Sequence, residues 1–243
     1  MTVDGPNQAI IPSTMHAIRL HAPGGPEALA FEEVETPRPG EVEALVRVHA
    51  AAITRDELEW PVDRLPAIPS YELSGVVSAV APNVDAVAIG EAVYALTGFD
   101  RDGAAAEYIA VRANVLAPKP RTLGHVESAA ISLAALTAWQ GLFDHGRLQE
   151  GQRVLIHGAS GGVGHFATQF ARWRGANVIG TASSAKVENV WRFGAREVLD
   201  HVTNPLRTGA RPGRSRFRHR GRRAARALAR GGAEGRKAGV RGR

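Results

Sequence analysis

The 243-residue chain contains no cysteine. That excludes disulfides, thiolate-ligated zinc and a thiol nucleophile. It also lacks any run of about 18 apolar residues, so no membrane-spanning helix is expected. Met1 to Met15 carries Asp4, Pro6 and Pro12 and no apolar stretch, so no secretory signal is expected there. A reducing, cytoplasmic setting is the expectation that follows. Acidic residues are nearly missing from one part of the chain. Residues 206–243 hold 14 Lys and Arg against one acid, Glu234, whereas residues 1–205 hold 16 Lys and Arg against 23 Asp and Glu. The formal charge of +6 is therefore the sum of an acidic body and a basic tail. Hydrophobic residues make up 44% of the chain, enough for a buried core.

What is present reads as two textures. After an extension over residues 1–14, alternating segments begin at Met15–Leu20 and Phe31–Glu35, followed by Glu43–Ala50, Gly75–Val80 and Ala92–Leu96. Gly/Pro turns stand between them. Short strands punctuated in this way predict a small β-barrel-like domain over residues 15–121. Near residue 122 the texture changes. Val126–Leu142 reads as helix, Arg153–His157 as a buried parallel strand, and Gly162–Arg174 as a helix with Val163, Phe166, Phe170 and Trp173 on one side. Asn177–Thr181, Lys186–Phe193 and Glu197–Asp200 continue the alternation as strand, helix and strand. This β-α-β-α-β order predicts half of a doubly wound nucleotide-binding domain over residues 122–205.

The first strand-to-helix turn is Gly158-Ala159-Ser160-Gly161-Gly162-Val163-Gly164. Glycines here let backbone amides approach a pyrophosphate, and the following helix points its positive end at the phosphates. Ala159-x-Gly161-x-x-Gly164 is the dinucleotide fingerprint with Ala at the first position, in the strand-turn-helix context that gives such a motif meaning. An NAD site usually carries an acid at the end of the second strand to bond the ribose 2′-OH. Here that strand runs out as Thr181-Ala182-Ser183-Ser184-Ala185-Lys186, with two hydroxyls and a cation, so NADP(H) is the expected cofactor. Ser183 and Ser184 also read as helix N-caps.

These motifs, in combination, resemble the zinc-independent quinone oxidoreductase branch of the medium-chain dehydrogenase/reductase superfamily. The matching stretches are Met15–Leu20 with Gly24–Glu27, Pro39–Val42 with Val46–Ala50, Leu136–Gln140, and His157–Gly164. The resemblance implies a GroES-like substrate domain followed by a Rossmann domain, NADPH in the cleft, and hydride transfer to a quinone, enone or related carbonyl compound. It implies that Thr137 lies near the nicotinamide amide. It also implies that His201, where a Tyr is common, lies near the adenosine phosphate. Ser70-Tyr71-Glu72 stands where zinc-dependent relatives carry Gly-His-Glu, so no metal site is expected. Thr54 stands where many relatives carry Asn. His49 and His157 read as structural, and Glu57 and Glu59 beside Trp60 as a solvated face, with the lining of a substrate mouth as the alternative. No catalytic acid or base is assigned, because the cofactor carries the chemistry and the protein supplies alignment.

The tail, 206–243, contains 13 Arg and eight Gly without an apolar period, and is expected to be disordered. One reading is nucleic-acid binding, against which its irregularity and its single aromatic, Phe217, both argue. The other is an out-of-frame product of a GC-rich gene. The alternative frame of Gly213–Arg222 permits Val-Glu-Val-Val-Phe-Asp-Thr-Val-Gly-Gly, a buried strand of the kind the fold needs next. On that reading the Rossmann domain is incomplete, holding the 3-2-1 half of the strand order with its first strand left as an exposed edge. The chain is then expected to be impaired, or a non-catalytic remnant that still binds NADP(H). The homodimer that the resemblance implies is not expected of such a chain.

Overall fold

A computed structural model describes residues 10–54, 57–60 and 64–203, together with the backbone of Arg216 and Phe217. The chain divides into two compact units, Met1–Leu133 and Ala134–Arg243.

In the first unit, β1 (Thr14–Leu20) and β2 (Leu29–Glu35) form an antiparallel ribbon, with Thr14 opposite Glu35 and Leu20 opposite Leu29. β1 buries Met15 and Ala17 in alternation and, out of phase at its end, Leu20. A five-stranded antiparallel sheet follows, built from β3 (Glu43–Ala52), β4 (Glu72–Val80), β5 (Ala92–Leu96), β6 (Tyr108–Arg112) and β7 (Ala117–Pro118) in the order β6-β3-β4-β5-β7. Its interior is β-branched and aliphatic: Val46, Leu73, Val77, Val93 and Val111 are almost wholly buried. The short β6 and β7 were not anticipated from the sequence: β6 buries Ile109, Ala110 and Val111 in a row and so carries no period-2 signal.

Helix α1 (His125–Ala129) packs beside β3 and β4. There the Ser74 hydroxyl donates to the Val93 carbonyl at 2.9 Å and lies 2.8 Å from His125 Nδ1. With its proton committed to Val93, Ser74 accepts from His125 Nδ1–H. The His125 ring stacks on His49 at 4.5 Å. His49, read from sequence as a structural histidine, is thus an exposed strand residue covering a neighbour's ring. Burial, then the His49 and Lys119 charges, hold His125 below its ordinary value of 6.5. Protonation therefore costs more folded than unfolded, so this stability is complete above 6.5 and is lost as pH falls through the lower folded value. The expected result is a drop in unfolding midpoint between about pH 7 and pH 5.5 that His125→Gln reduces, because the Gln amide still donates to Ser74 but does not titrate. Equal slopes in the two proteins would refute this.

In the second unit, the helical stretch expected over residues 126–142 is divided. After α1 comes α2 (Ser132–Trp139), which continues into a wider π turn over Gln140–His145. Then follow β8 (Arg153–Ile156), α3 (Gly162–Trp173), β9 (Asn177–Ala182), a short turn over Ser184–Lys186, α4 (Val187–Arg192) and β10 (Glu197–Asp200). The parallel order β10-β9-β8 is the third-second-first half of a Rossmann sheet. Val154, Ile156 and Val178 face a core completed by Ala167 and Ala171 of α3 and by Val190 of α4. Val163, Phe166 and Phe170 pack against that core as their spacing required. Trp173 does not: it is 70% exposed and lies with Trp139 and Phe143 in an aromatic cluster.

The expectation of an exposed β8 edge is corrected. Arg216–Phe217 forms β11 and pairs in parallel with Leu155 and Ile156 of β8. Unpaired amides and carbonyls on β8 are satisfied by any backbone that reaches them, whatever its side chains. The remainder of the tail, and with it the expectation of disorder, lies outside the described residues.

Candidate cofactor site and buried carboxylates

The glycine turn is held from below by β9. Gly158 N–H donates to Thr181 Oγ1 at 3.0 Å and Ala159 N–H to the Thr181 carbonyl at 2.9 Å. Gly158 has φ +63°, a conformation that glycine adopts without strain. The first bond of α3 runs from His165 N–H to the Gly161 carbonyl at 3.0 Å. The amides of Gly162, Val163 and Gly164 precede it and have no acceptor among the described residues. A Cβ on Gly162 would meet nothing within 4 Å, so the space beside this exposed residue at the head of α3 is open. A Cβ on Gly164 would sit 2.1 Å from the Gly158 carbonyl oxygen. This is an anion cradle closed below by packing and open above, and it fits a dinucleotide's phosphates. Ala159 is buried beneath it, and Ser160, Gly161 and Gly162 form its rim.

At the end of β9, Ser183 and Ser184 open the turn before α4, but Ser183 makes no side-chain cap. The Ser184 hydroxyl donates instead to Asp200 Oδ2 at 2.5 Å. Asp200 is paired in register with Ala182, and the His201 amide donates to the Ala182 carbonyl at 3.1 Å. The two strand ends are therefore side by side. Bonds from Ser184, then from the Val202 amide and from Thr203, hold the Asp200 carboxyl below the usual carboxylate range. An acid is thus present at this corner, contrary to what the second strand alone suggested. It comes from the third strand. Lys186 and His201 are exposed, and neither has a salt-bridge partner among the described residues. Thr137 and His157 are half-buried, and each interacts with other groups of the protein.

In the first unit, Glu59 is exposed but Glu57 is not: it is 5% exposed, which corrects its assignment to a solvated face. Its two oxygens accept from the Thr54 amide at 2.8 Å and the Ser70 amide at 2.5 Å. Burial pushes the Glu57 carboxyl up, and these two bonds only partly offset it. Glu72 is also buried. It accepts from the Leu133 amide at 2.8 Å and from the Thr54 side chain, and burial plus the Glu57 charge raise it. Ser70 stands at φ 72°, in the left-handed region, with its hydroxyl donating to the Ala52 carbonyl at 3.0 Å. Beside it, Tyr71 is buried and in ring contact with Trp60 and Phe99. Burial and the Glu57 charge hold its phenol protonated further above its usual value. Thr54, Glu57 and Ser70-Tyr71-Glu72 thus share one apolar-walled corner. Its sequence signal was an acid heading a strand with no other charge, Glu72–Val80.

A family model for the alcohol dehydrogenase GroES-like domain matches residues 40–121. The quinone oxidoreductase of Rattus norvegicus is 35% identical over 195 residues, covering 77% of this chain and 59% of that protein. The chloroplastic quinone-oxidoreductase homolog of Spinacia oleracea is 33% identical over 205 residues, covering 78% and 62%. Among solved structures, the quinone oxidoreductase from Coxiella burnetii superposes with a TM-score of 0.73 at 30% identity, covering 79% of this chain and 64% of that one. The chain thus spans about three-fifths of the length of these relatives.

Proposed function

The chain belongs to the quinone oxidoreductase-like members of the medium-chain dehydrogenase/reductase superfamily, and from that premise we propose that it is built for hydride transfer from NADPH to a quinone, enone or related carbonyl compound without zinc. The observation that carries the reading is the glycine turn, with three unsatisfied amides at the head of α3 over a floor that admits no side chain at Gly164.

The reduced nicotinamide, when bound, supplies the hydride. The protein's own contribution is to hold and align. The amides of Gly162, Val163 and Gly164, with the α3 dipole, take the pyrophosphate. Ser183, Lys186 and His201 take the adenosine 2′-phosphate, Lys186 as the cation. Thr137 is proposed to face the nicotinamide amide. The lack of cysteine, and Ser70-Tyr71-Glu72 in place of a His-bearing segment, support a reaction without zinc. The carbonyl substrate is proposed to enter beside Tyr71, Trp60 and Phe99, whose faces suit a planar ring.

A second reading is a chain that binds the cofactor without turning it over. It is favoured by the small extent of β11, two residues beside β8. One experiment separates the two: NADPH binding and quinone-dependent NADPH oxidation by the full chain, with and without EDTA. Saturable binding is expected under both readings. Oxidation that requires the quinone and survives EDTA supports the enzyme, binding without it supports the second reading, and absence of binding overturns both.

A further inference from the structure

We propose that Asp200 is the residue that sets cofactor preference at the 2′ position, acting both through Ser184 and by its own charge. The inference rests on reading residues 183–186 as the adenosine-phosphate end of the cofactor site.

A serine hydroxyl has one proton and two lone pairs. The proton of Ser184 goes to Asp200 Oδ2 at 2.5 Å. What Ser184 then offers a ligand is an acceptor. An acceptor suits the 2′-OH of NAD(H), which donates, and is wrong for a 2′-phosphate, which only accepts. Asp200 adds a like charge on the same side. Lys186 and His201 pull the other way, and neither has a salt-bridge partner among the described residues. The corner therefore contains opposed determinants: Lys186 and His201 admit the phosphate, while the Asp200–Ser184 pair penalises it.

The geometry also says what removing the charge does. The Val202 amide donates to Asp200 Oδ1 at 2.9 Å. In Asp200→Asn the oxygen is retained at that bond and the amide nitrogen takes the place facing Ser184. The hydrogen bond reverses: the Asn donates to Ser184, and the serine proton becomes free to donate to a phosphate. Both the repulsion and the mismatch are relieved together.

The test uses the full chain with two soluble probes, adenosine 2′,5′-bisphosphate and 5′-AMP, titrated calorimetrically, with thermal unfolding as a check on the fold. Asp200→Asn is expected to tighten the bisphosphate about tenfold, the order of one close like-charge contact at a wet surface, and to leave 5′-AMP within about twofold. Ser184→Ala supplies the second arm. It is expected to weaken 5′-AMP, which loses its acceptor, and to tighten the bisphosphate, which loses a mismatched one; a serine that donates to phosphate predicts a weaker bisphosphate instead. A merely structural role for Asp200 would shift both probes equally, and that result, or no shift in either, overturns the inference while the cofactor-site reading stands. If neither the natural chain nor the variants bind 5′-AMP, the cofactor-site reading fails and the inference falls with it.

Discussion

Gly164→Ala is expected to abolish nucleotide binding and to lower the unfolding midpoint of the second unit. The added methyl would lie 2.1 Å from the Gly158 carbonyl oxygen and 2.8 Å from Ala159 Cα. Both are backbone atoms, so no side-chain rotation relieves the contact. The loop cannot retreat cheaply, because Thr181 holds the Gly158 and Ala159 amides and Ala159 is buried against the core. Either the turn opens or α3 shifts off β8, and overpacking of this kind costs about 1–3 kcal/mol or more. Gly162→Ala is the control. Its methyl meets no protein atom within 4 Å, so the fold is expected to survive, while the methyl stands in the space in front of the free amides and weakens the nucleotide. Calorimetry with 5′-AMP and thermal unfolding on both variants check this. A Gly164→Ala chain that binds and melts like the natural one would show that the turn is not the cradle described.

The second large effect is a contrast between two buried acids. Glu57→Gln is expected to destabilise the first unit by about 1–3 kcal/mol, the cost of leaving a buried donor without an acceptor. Both oxygens of Glu57 accept from backbone amides, those of Thr54 and Ser70, and an amide side chain has only one oxygen to offer. Its nitrogen would face an N–H. Glu72→Gln should behave oppositely. Glu72 accepts from one backbone amide, Leu133, and from a Thr54 hydroxyl that can rotate to accept instead. Its charge is raised by burial and by Glu57. A raised carboxyl contributes stability that is fully present below the ordinary 4.5 and is lost as pH rises through the folded value. Removing that titration should flatten the loss and leave the neutral-pH midpoint at or above that of the natural chain. Denaturant unfolding of the two variants at about pH 5 and pH 7.5 decides the matter. Equal destabilisation by both would mean that the hydrogen-bond geometry does not separate them.

Much of this was legible along the chain. Met15–Leu20 alternates, and its first half buries alternate residues, Met15 and Ala17. Val154–Ile156 is apolar after an exposed Arg153, and it forms a parallel strand with Val154 and Ile156 buried. Gly158–Gly164 joins strand to helix, and its glycines mark the turn, whose last glycine, Gly164, lies against the Gly158 carbonyl. What was misread shares one cause. Glu57 looked solvated because it has charged neighbours in sequence, yet its partners are the amide of Thr54 and the amide of Ser70 on a separate segment. The corner after β9 looked free of acid because the acid is 16 residues from Ser184. Trp173 fell on the apolar face of a helical wheel, but a wheel does not say where the neighbouring core stops.

Periodicity and glycine placement dictated the elements, their order and the cradle, because each depends on residues within a few positions of one another. The tertiary structure alone decided which carboxylate takes the Ser184 proton, which acid is buried with two amides, and what sits beside β8. Those outcomes depend on strand register and on hydrogen bonds between distant segments, and neither leaves a local mark in the sequence.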